Sequence, residues 1–155
     1  MAEFRIRKAA ESDLDEIIRL WKRNIRTINT ASDIAELFYA FENYFFVAVS
    51  LASAEHSLIG FVGGAVRQGH GHISGIAVDK EYRRRGVGNG LIKAVEREFI
   101  TNAFDMVTLE VRKSNWRAIR FYEKQGYKHS YIVKGYYADG EDALVYAKKK
   151  LKSLQ

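Results

Sequence analysis

Residues 71–91 constrain the fold of this 155-residue chain more than any other stretch. An apolar, β-prone run from Gly71 to Val78 leads into a charged turn, then into three consecutive arginines and a glycine-rich corner. Beyond the corner, apolar residues recur at helical spacing from Val87 to Phe99. Glycines let successive N–H groups point into one concavity, and a helix N-terminus adds partial positive charge. The stretch therefore predicts a strand, an anion-binding turn and a helix.

The predicted anion-binding turn presents both charged side chains and backbone N–H groups. Its candidate residues are Arg83, Arg84, Arg85, Gly86, Val87, Gly88, Asn89 and Gly90. The pattern G-x-x-x-x-G-K-[ST] is absent, and G-x-G-x-x-G fails because Leu91 occupies its third glycine position. An R-x-x-G-x-G pattern remains. On these residues alone, an ordinary helix start with solvated arginines is an alternative.

Length and composition limit the classes of protein that this chain can be. We expect one domain over residues 1–155, with a substantial core. No apolar run approaches the roughly 20 residues needed to span a bilayer, and the first residues lack a signal-peptide pattern. We therefore expect a cytoplasmic protein with no membrane partner. The absence of cysteine excludes disulfides, thiolate zinc sites and a cysteine nucleophile.

The net charge of +6 is compatible with nucleic acid, an acidic surface or a phosphorylated small molecule as partner. Basic clusters at 83–85 and 112–120 flank a glycine-rich turn and a predicted helix start, which favours the small molecule. No nucleic-acid-binding motif is present, so no specific nucleic acid is predicted. His70 and His72 would share one strand face, but two ligands do not make a metal site, and no metal is predicted.

Hydrophobic periodicity along the chain predicts about seven strands and four helices in the order β-α-α-β-β-β-α-β-α-β-β. Antiparallel hairpins come before a βαβ unit centred on residues 72–112. Its two strands are expected to be parallel, because the helix between them provides the crossover that parallel neighbours need. The predicted fold is a mixed α/β (α+β) sheet, mostly antiparallel, with helices on its faces.

A second motif follows the βαβ unit. It reads Leu109-Glu110-Val111-Arg112-Lys113-Ser114-Asn115 and continues through Ala118, Tyr122, Gly126 and Tyr127. Together with the R-x-x-G-x-G turn and the G-H-I-x-x-I-A-V run at 71–78, it resembles the GNAT superfamily of acyl-CoA-dependent N-acyltransferases. The sequence is most similar to the RimI-like and protein N-terminal acetyltransferases. The resemblance covers essentially the whole chain and implies the GNAT fold.

Glu110 is a carboxylate in an apolar strand, on the face shared with Thr108 and Arg112. Burial would raise its pKa, as a general base needs, while an ion pair with a neighbouring arginine is the alternative. The resemblance implies that Glu110 deprotonates the incoming amine and that Tyr122 protonates the departing coenzyme A thiolate. Tyr122 also has the spacing of a core aromatic. Asn115 resembles the asparagine that bonds the pantetheine arm, and it can cap the following helix as well.

The resemblance implies acetyl-CoA as the cofactor, with coenzyme A as product. The expected cofactor contacts are the turn at 83–90, Asn115, Tyr122 and the backbone of Ile76, Ala77 and Val78. The backbone N–H groups at 76–78 would bind the acetyl carbonyl, because the strand is expected to splay from its neighbour there. The amine would attack the thioester directly in a ternary complex, without an acyl-enzyme.

Two loops are expected to form the mouth of the substrate site. Ile25, Arg26 and Thr27 would form one wall, and Tyr136 and Tyr137 the other. The preferred substrate is the α-amine of a protein N-terminus, which implies proximity to the ribosome; a small-molecule amine or a lysine side chain is the alternative. The loop at 24–29 lacks the proline and glutamate that are typical of the amino-terminal branch of the family, which leaves the substrate preference open. An acetyl-CoA sensor without activity and a nucleic-acid-binding module are the alternatives from other classes.

Overall fold

The computed structural model describes residues 3–52, 54 and 57–151, which form a seven-stranded mixed sheet with helices on both faces. The strands are β1 (Phe4–Lys8), β2 (Phe45–Ser50), β3 (Leu58–Arg67), β4 (His70–Val78), β5 (Met106–Arg112), β6 (Lys128–Val133) and β7 (Ala143–Lys149). The helices are α1 (Leu14–Asn24), α2 (Ala31–Ala40), α3 (Val87–Thr101) and α4 (Trp116–Lys124). None of these helices is long and apolar enough to cross a bilayer.

The strands lie in the order β1-β2-β3-β4-β5-β7-β6. Every neighbouring pair is antiparallel except β4 and β5, which the crossover through α3 makes parallel. The predicted element order and fold class are confirmed. This agreement follows from local signals, because each helix has an apolar stripe at helical spacing and the β3–β4 hairpin turns through Gln68 and Gly69, which both have a positive φ.

Two hydrophobic clusters hold the helices on the sheet, one on each face. On one face, α1 and α2 bury residues such as Ile17 and Phe38 against the strands. On the other face, α3 and α4 bury residues such as Leu91 and Phe99. Each large apolar side chain buried in this way contributes about 1.5–3 kcal/mol. Because the faces are covered separately, a ligand between β4 and β5 could be approached from both sides.

The pairing of β4 with β5 is short, and this opens the sheet. Only Gly71↔Val107 and His72↔Thr108 are paired, although β4 continues to Val78 and β5 continues to Arg112. The expected splay of β4 is therefore confirmed. Beyond the paired residues, backbone groups on the β5 side of β4 lack a neighbouring strand.

A β-bulge and a close approach of α1 shape β4 beside this opening. The register with β3 changes from Gly63↔Gly75 to Gly64↔Ile73, which leaves Ser74 as an extra residue. A bulge bends a strand and redirects its side chains. A Cβ at Gly75 would lie 2.9 Å from the indole of Trp21, so only glycine lets α1 pack this closely. The chain therefore holds α1 firmly against the middle of β4.

A buried carboxylate fixes the start of α1 and allows a test of stability. The Asp13 carboxylate accepts hydrogen bonds from Arg7 at 2.7 and 3.0 Å and from the Ala10 amide at 2.7 Å. Burial opposes its ionisation, but Arg7 and the Ala10 amide outweigh burial and lower its pKa. A lowered pKa stabilises the fold above the unfolded pKa of about 3.9, and this contribution disappears as the pH falls through the folded value.

We therefore expect Asp13→Asn to lower the free energy of unfolding by about 1–3 kcal/mol at pH 7, because Arg7 loses its charged partner. Urea unfolding at pH 7 and near pH 3 would measure the loss, which should shrink at the lower pH. Asp15→Asn is the matched control, because Asp15 is exposed on the same helix. An equal loss at both pH values would contradict this role for the ion pair.

Candidate active site

A groove of about 500 Å³ lies on the face of the sheet that carries α1 and α2. It is lined by Trp21, Ile25, Arg26, Thr27, Ile28, Asn29, Ile73, Ser74, Glu110, Arg112, Tyr136, Tyr137, Ala138 and Asp139. The loop after α1 and the loop between β6 and β7 therefore form the two walls, as the sequence predicts. All five residues predicted at the substrate mouth line the same groove as Glu110. Their role in binding a substrate stays a prediction.

Glu110 lies in the groove and contacts three polar side chains. Its oxygens lie 3.0 and 3.1 Å from Nε2 of His72 and 3.6 Å from Nη1 of Arg67, and the Tyr136 hydroxyl donates to it at 3.4 Å. Burial raises the pKa of Glu110, as expected, but His72, Arg67 and Tyr136 outweigh burial and lower it. The prediction of a raised pKa is therefore wrong, and the alternative, an ion pair with a neighbouring arginine, is present.

His72 has a contact with Glu110 that the sequence analysis did not predict. It is 2% exposed, and its Nδ1 lies 3.3 Å from the hydroxyl of Ser74 while Nε2 meets Glu110. His70 projects from the same face, as predicted, and its Nε2 lies 3.0 Å from the Thr108 hydroxyl. Both ring nitrogens of His72 therefore have a partner, which suits proton transfer through the imidazole. Within the described residues, no group of three or more acidic or histidine side chains could hold a metal ion.

The sequence did contain a signal for the cluster of His72, Ser74 and Glu110. Alternation along β4 puts His70, His72 and the bulged Ser74 near one another, and a parallel βαβ unit sets β4 beside β5. Pairing His72 with Thr108 then places the imidazole close to Glu110, two residues further along β5. The register itself depends on packing between residues 36 positions apart, so only the folded chain specifies it.

Tyr122 lies on α4, in the hydrophobic cluster on the opposite face of the sheet. Its ring centroid is 6.1 Å from that of Tyr127, in an edge-to-face arrangement. Burial raises its pKa far above that of a free phenol, and Tyr137 adds to the effect. The hydroxyl therefore stays protonated at neutral pH and is able to donate a proton. The core position predicted as the alternative is confirmed, and the catalytic role stays a prediction.

The predicted anion-binding turn has the expected backbone geometry. Gly86 is the N-cap of α3 with a left-handed φ of +84°, and Arg84 also has a positive φ of +64°. Among the residues that the structure describes, no side chain caps this helix end, and the amides of Val87, Gly88 and Asn89 have no partner within the helix. Converging N–H groups at a helix N-terminus form a site for an anion such as phosphate.

Three residues of this turn make contacts within the protein that the sequence did not predict. The Arg83 side chain donates to the Val78 carbonyl and to Asn24, so its guanidinium braces the protein. The Gly90 amide already donates to the Gly86 carbonyl at 3.0 Å and so is not free for a phosphate. Packing also constrains Gly90 and Gly88, because a Cβ would lie 2.5 Å from Ile6 and 3.2 Å from Phe121 respectively. Sequence reasoning missed this because these contacts join distant segments.

Other predicted cofactor residues lie at the end of β4 and at the start of α4. Ile76, Ala77 and Val78 pair with β3 on one side, and on the other side they face the opening in the sheet. Asn115 accepts a hydrogen bond from the Ala118 amide at 3.3 Å, so the predicted helix cap is confirmed. Contacts of these residues with a cofactor stay predictions.

Ion pairs join the two loops at the mouth of the groove. Nη2 of Arg26 lies 2.9 Å from Asp139, and Nη1 of Arg112 lies 3.0 Å from both Asp139 and Glu141. The Arg112 guanidinium also lies 4.0 Å from the centroid of the Tyr137 ring. Tyr137 is therefore half-buried, and burial raises its pKa to about 12. These contacts fix the position of the aromatic wall relative to the loop after α1.

Residues 13–127 match the model of the acetyltransferase (GNAT) family. The chain belongs to this family. An N-acetyltransferase of Methanocaldococcus jannaschii, described as uncharacterized, is 36% identical over 146 residues, which cover 94% of this chain and 91% of that protein. An N-alpha-acetyltransferase of Saccharolobus solfataricus is 32% identical over 160 residues, 94% of this chain and 93% of the relative.

Among solved structures, Ard1 from Thermoplasma volcanium has a TM-score of 0.88 at 28% identity, covering 96% of this chain and 99% of that one. The resemblance found in the motifs at 71–91 and 109–127 is thereby confirmed. The GNAT chain is an N-acetyltransferase. Glu110, His72 and the turn at the start of α3 are thus parts of the catalytic domain of this family.

Proposed function

We propose that this GNAT enzyme transfers the acetyl group of acetyl-CoA to the α-amine of protein N-termini. One observation carries the proposal: the groove between the two mouth loops contains Glu110, on the strand that borders the opening between β4 and β5. The archaeal relative named N-alpha-acetyltransferase, which matches nearly the whole chain, supports the same substrate class.

The residues at the opening fit acetyl-CoA. The free amides at the start of α3 suit a pyrophosphate, and Arg84 and Arg85 are exposed beside them. The Asp79 amide donates to Ile59 of β3, so by alternation along the strand the amides of Ile76 and Val78 face the opening, where an acetyl carbonyl could accept from them. Bound acetyl-CoA would supply the acetyl group as an activated thioester. Tyr122 would approach this region from the α4 face, opposite the groove.

The groove suits the end of a chain. Its mouth is crossed by the ion pair of Arg26 with Asp139, so its two walls are tied together. An extended N-terminus could enter between the loops, with the Tyr136 and Tyr137 rings on one side and the apolar Ile25 and Ile28 on the other. An internal lysine could enter only if the peptide segments on both sides of it also fitted at the mouth of the groove.

The lowered pKa of Glu110 also favours an α-amine. Glu110 is ionised at neutral pH and would hold the incoming ammonium, with His72 and Ser74 leading the proton away. A carboxylate of low pKa is a weak base, so the reaction depends on an amine that deprotonates easily. At pH 7.5 roughly a third of an α-amine is neutral, compared with roughly a thousandth of a lysine amine.

A comparison of peptides tests the proposal. Lysine-free peptides with a free α-amine should be acetylated, and the same peptides blocked at the α-amine but carrying an internal lysine should react far more slowly. Replacing both Tyr136 and Tyr137 with alanine should raise the peptide KM more than it changes acetyl-CoA affinity. If blocked lysine peptides or small polyamines are the better substrates, the enzyme acts on the alternative class of amine.

A further inference from the structure

Two polar contacts join the anion-binding turn to the end of α1. Nη2 of Arg83 donates to Oδ1 of Asn24 at 3.1 Å, and Nη2 of Arg23 lies 3.6 Å from Oδ1 of Asp79. Asn24 is the last residue of α1, and the wall of the groove begins with the next residue, Ile25. The two sites of the enzyme are therefore connected by a chain of direct contacts.

Arg83 is at the centre of this connection. Its Nε donates to the Val78 carbonyl at 3.0 Å. The side chain of Arg83, the first residue of the turn, therefore joins the end of β4 to the end of α1. The planar guanidinium holds its partners in a fixed geometry. Asn24 is itself held, because its Nδ2 donates to the Leu20 carbonyl at 2.9 Å. Movement of the turn would therefore be transmitted to the last turn of α1.

The rest of α1 has an independent anchor, so the connection acts on its last residues. Trp21 packs against Gly75 of β4 and stacks on Phe61 with ring centroids 5.3 Å apart. The loop that follows Asn24 is joined to the opposite wall through Arg26, and Ile28 in it is 80% exposed. A contact at Asn24 can therefore change the position of this loop, which forms one wall of the groove.

We propose that Arg83 and Asn24 are positioning residues that couple the two sites, so that coenzyme A in the turn raises the affinity of the groove for a peptide N-terminus. The proposal rests on the proposed function. An anion bound by the amides at 87–89 restrains the turn, the turn restrains Arg83, and Arg83 restrains Asn24 and the loop after it. The loop then loses less conformational entropy when the peptide binds, and the peptide binds more tightly. Linkage requires the peptide to raise coenzyme A affinity by the same factor.

Calorimetry with coenzyme A, which cannot donate an acetyl group, tests this coupling. The Kd of a lysine-free peptide with a free N-terminus is measured with and without saturating coenzyme A. In the wild type we expect coenzyme A to tighten peptide binding at least about 5-fold. In Asn24→Ala and in Arg83→Lys this ratio should fall to about one, and the double variant should be no worse than either single variant.

Two further variants separate coupling from a general loss of structure. Asn24→Asp keeps the acceptor for Arg83 and should restore most of the ratio, and Lys22→Ala, exposed on the last turn of α1, should leave it unchanged. A purely structural brace would lower thermal stability in Asn24→Ala and leave the ratio intact. A normal ratio in both Asn24→Ala and Arg83→Lys would overturn the coupling and leave the proposed function standing.

The wild type distinguishes the remaining outcomes. Equal peptide affinity with and without coenzyme A would overturn the coupling alone. Binding of coenzyme A without any binding of the peptide would overturn the proposed function, and the coupling with it.

Discussion

Replacing Tyr122 with phenylalanine is expected to lower kcat by about 10²–10⁴-fold, the usual contribution of a general acid. The variant removes one hydroxyl and keeps the ring that packs beside Tyr127 in the core. Because burial raises the pKa of Tyr122, the wild-type hydroxyl is protonated throughout the working pH range and available to a departing thiolate. Steady-state kinetics at saturating substrate would measure the loss, and acetyl-CoA affinity should stay near normal.

Tyr127→Phe is the matched control for this prediction. Its hydroxyl donates to Glu96 at 2.7 Å, in the same core but away from the groove. Losing that bond should cost about 1 kcal/mol of stability and leave kcat nearly unchanged. Full activity in Tyr122→Phe would limit Tyr122 to its role in the core.

Glu110→Gln is expected to lower kcat by a similar factor, about 10²–10⁴-fold. Glutamine has the same shape and can still accept a hydrogen bond from His72, so the groove should keep its geometry. It lacks the negative charge that would hold an ammonium and accept its proton. Because acetyl-CoA is expected to bind elsewhere, its affinity should be unaffected. A variant with wild-type kcat would leave Glu110 as a charge partner of Arg67 and His72 only.

The pH dependence of kcat/KM provides a second test of Glu110. Burial raises the pKa of this carboxylate, and His72 and Arg67 lower it by a larger amount. Removing the positive charge with Arg67→Gln should therefore raise the pKa of Glu110. The fall in kcat/KM that Glu110 causes, which lies at lower pH than the fall caused by the substrate's α-amine, should then move to higher pH, while the variant keeps substantial activity at pH 8. An unchanged profile at low pH would show that Glu110 does not control it.

The agreement between the predicted and observed elements comes from short-range signals. β5 ends at residue 112, as the predicted βαβ unit does, because alternation of apolar and polar residues is complete within its seven positions. The helix after Gly86 begins at Val87, since a residue with positive φ interrupts the chain just before the apolar stripe. Asn115 caps α4 through the amide three residues further on, which is also a local interaction.

Side-chain partners from distant segments could not be predicted in this way. Glu110 was expected to have a raised pKa, because the pattern of the strand predicts that Glu110 is buried. The same pattern does not predict which side chains from other strands lie beside it. Arg67 and His72 come from other strands, 43 and 38 positions earlier in the chain, and together they reverse the direction of the shift. The prediction that Arg83 binds phosphate did not include its protein partner Asn24, which lies 59 positions away at the end of α1.

The sequence by itself determined the order of strands and helices, the glycine turn at the start of α3 and the strand that carries Glu110. These features depend on periodicity, on glycine φ angles and on caps, all of which act over a few residues. Only the tertiary structure decided that His72 meets Glu110, that Arg83 turns toward Asn24 and that the two mouth loops are joined by Arg26 and Asp139. Such contacts depend on strand register and on how closely α1 approaches β4, and these are properties of the packed sheet as a whole.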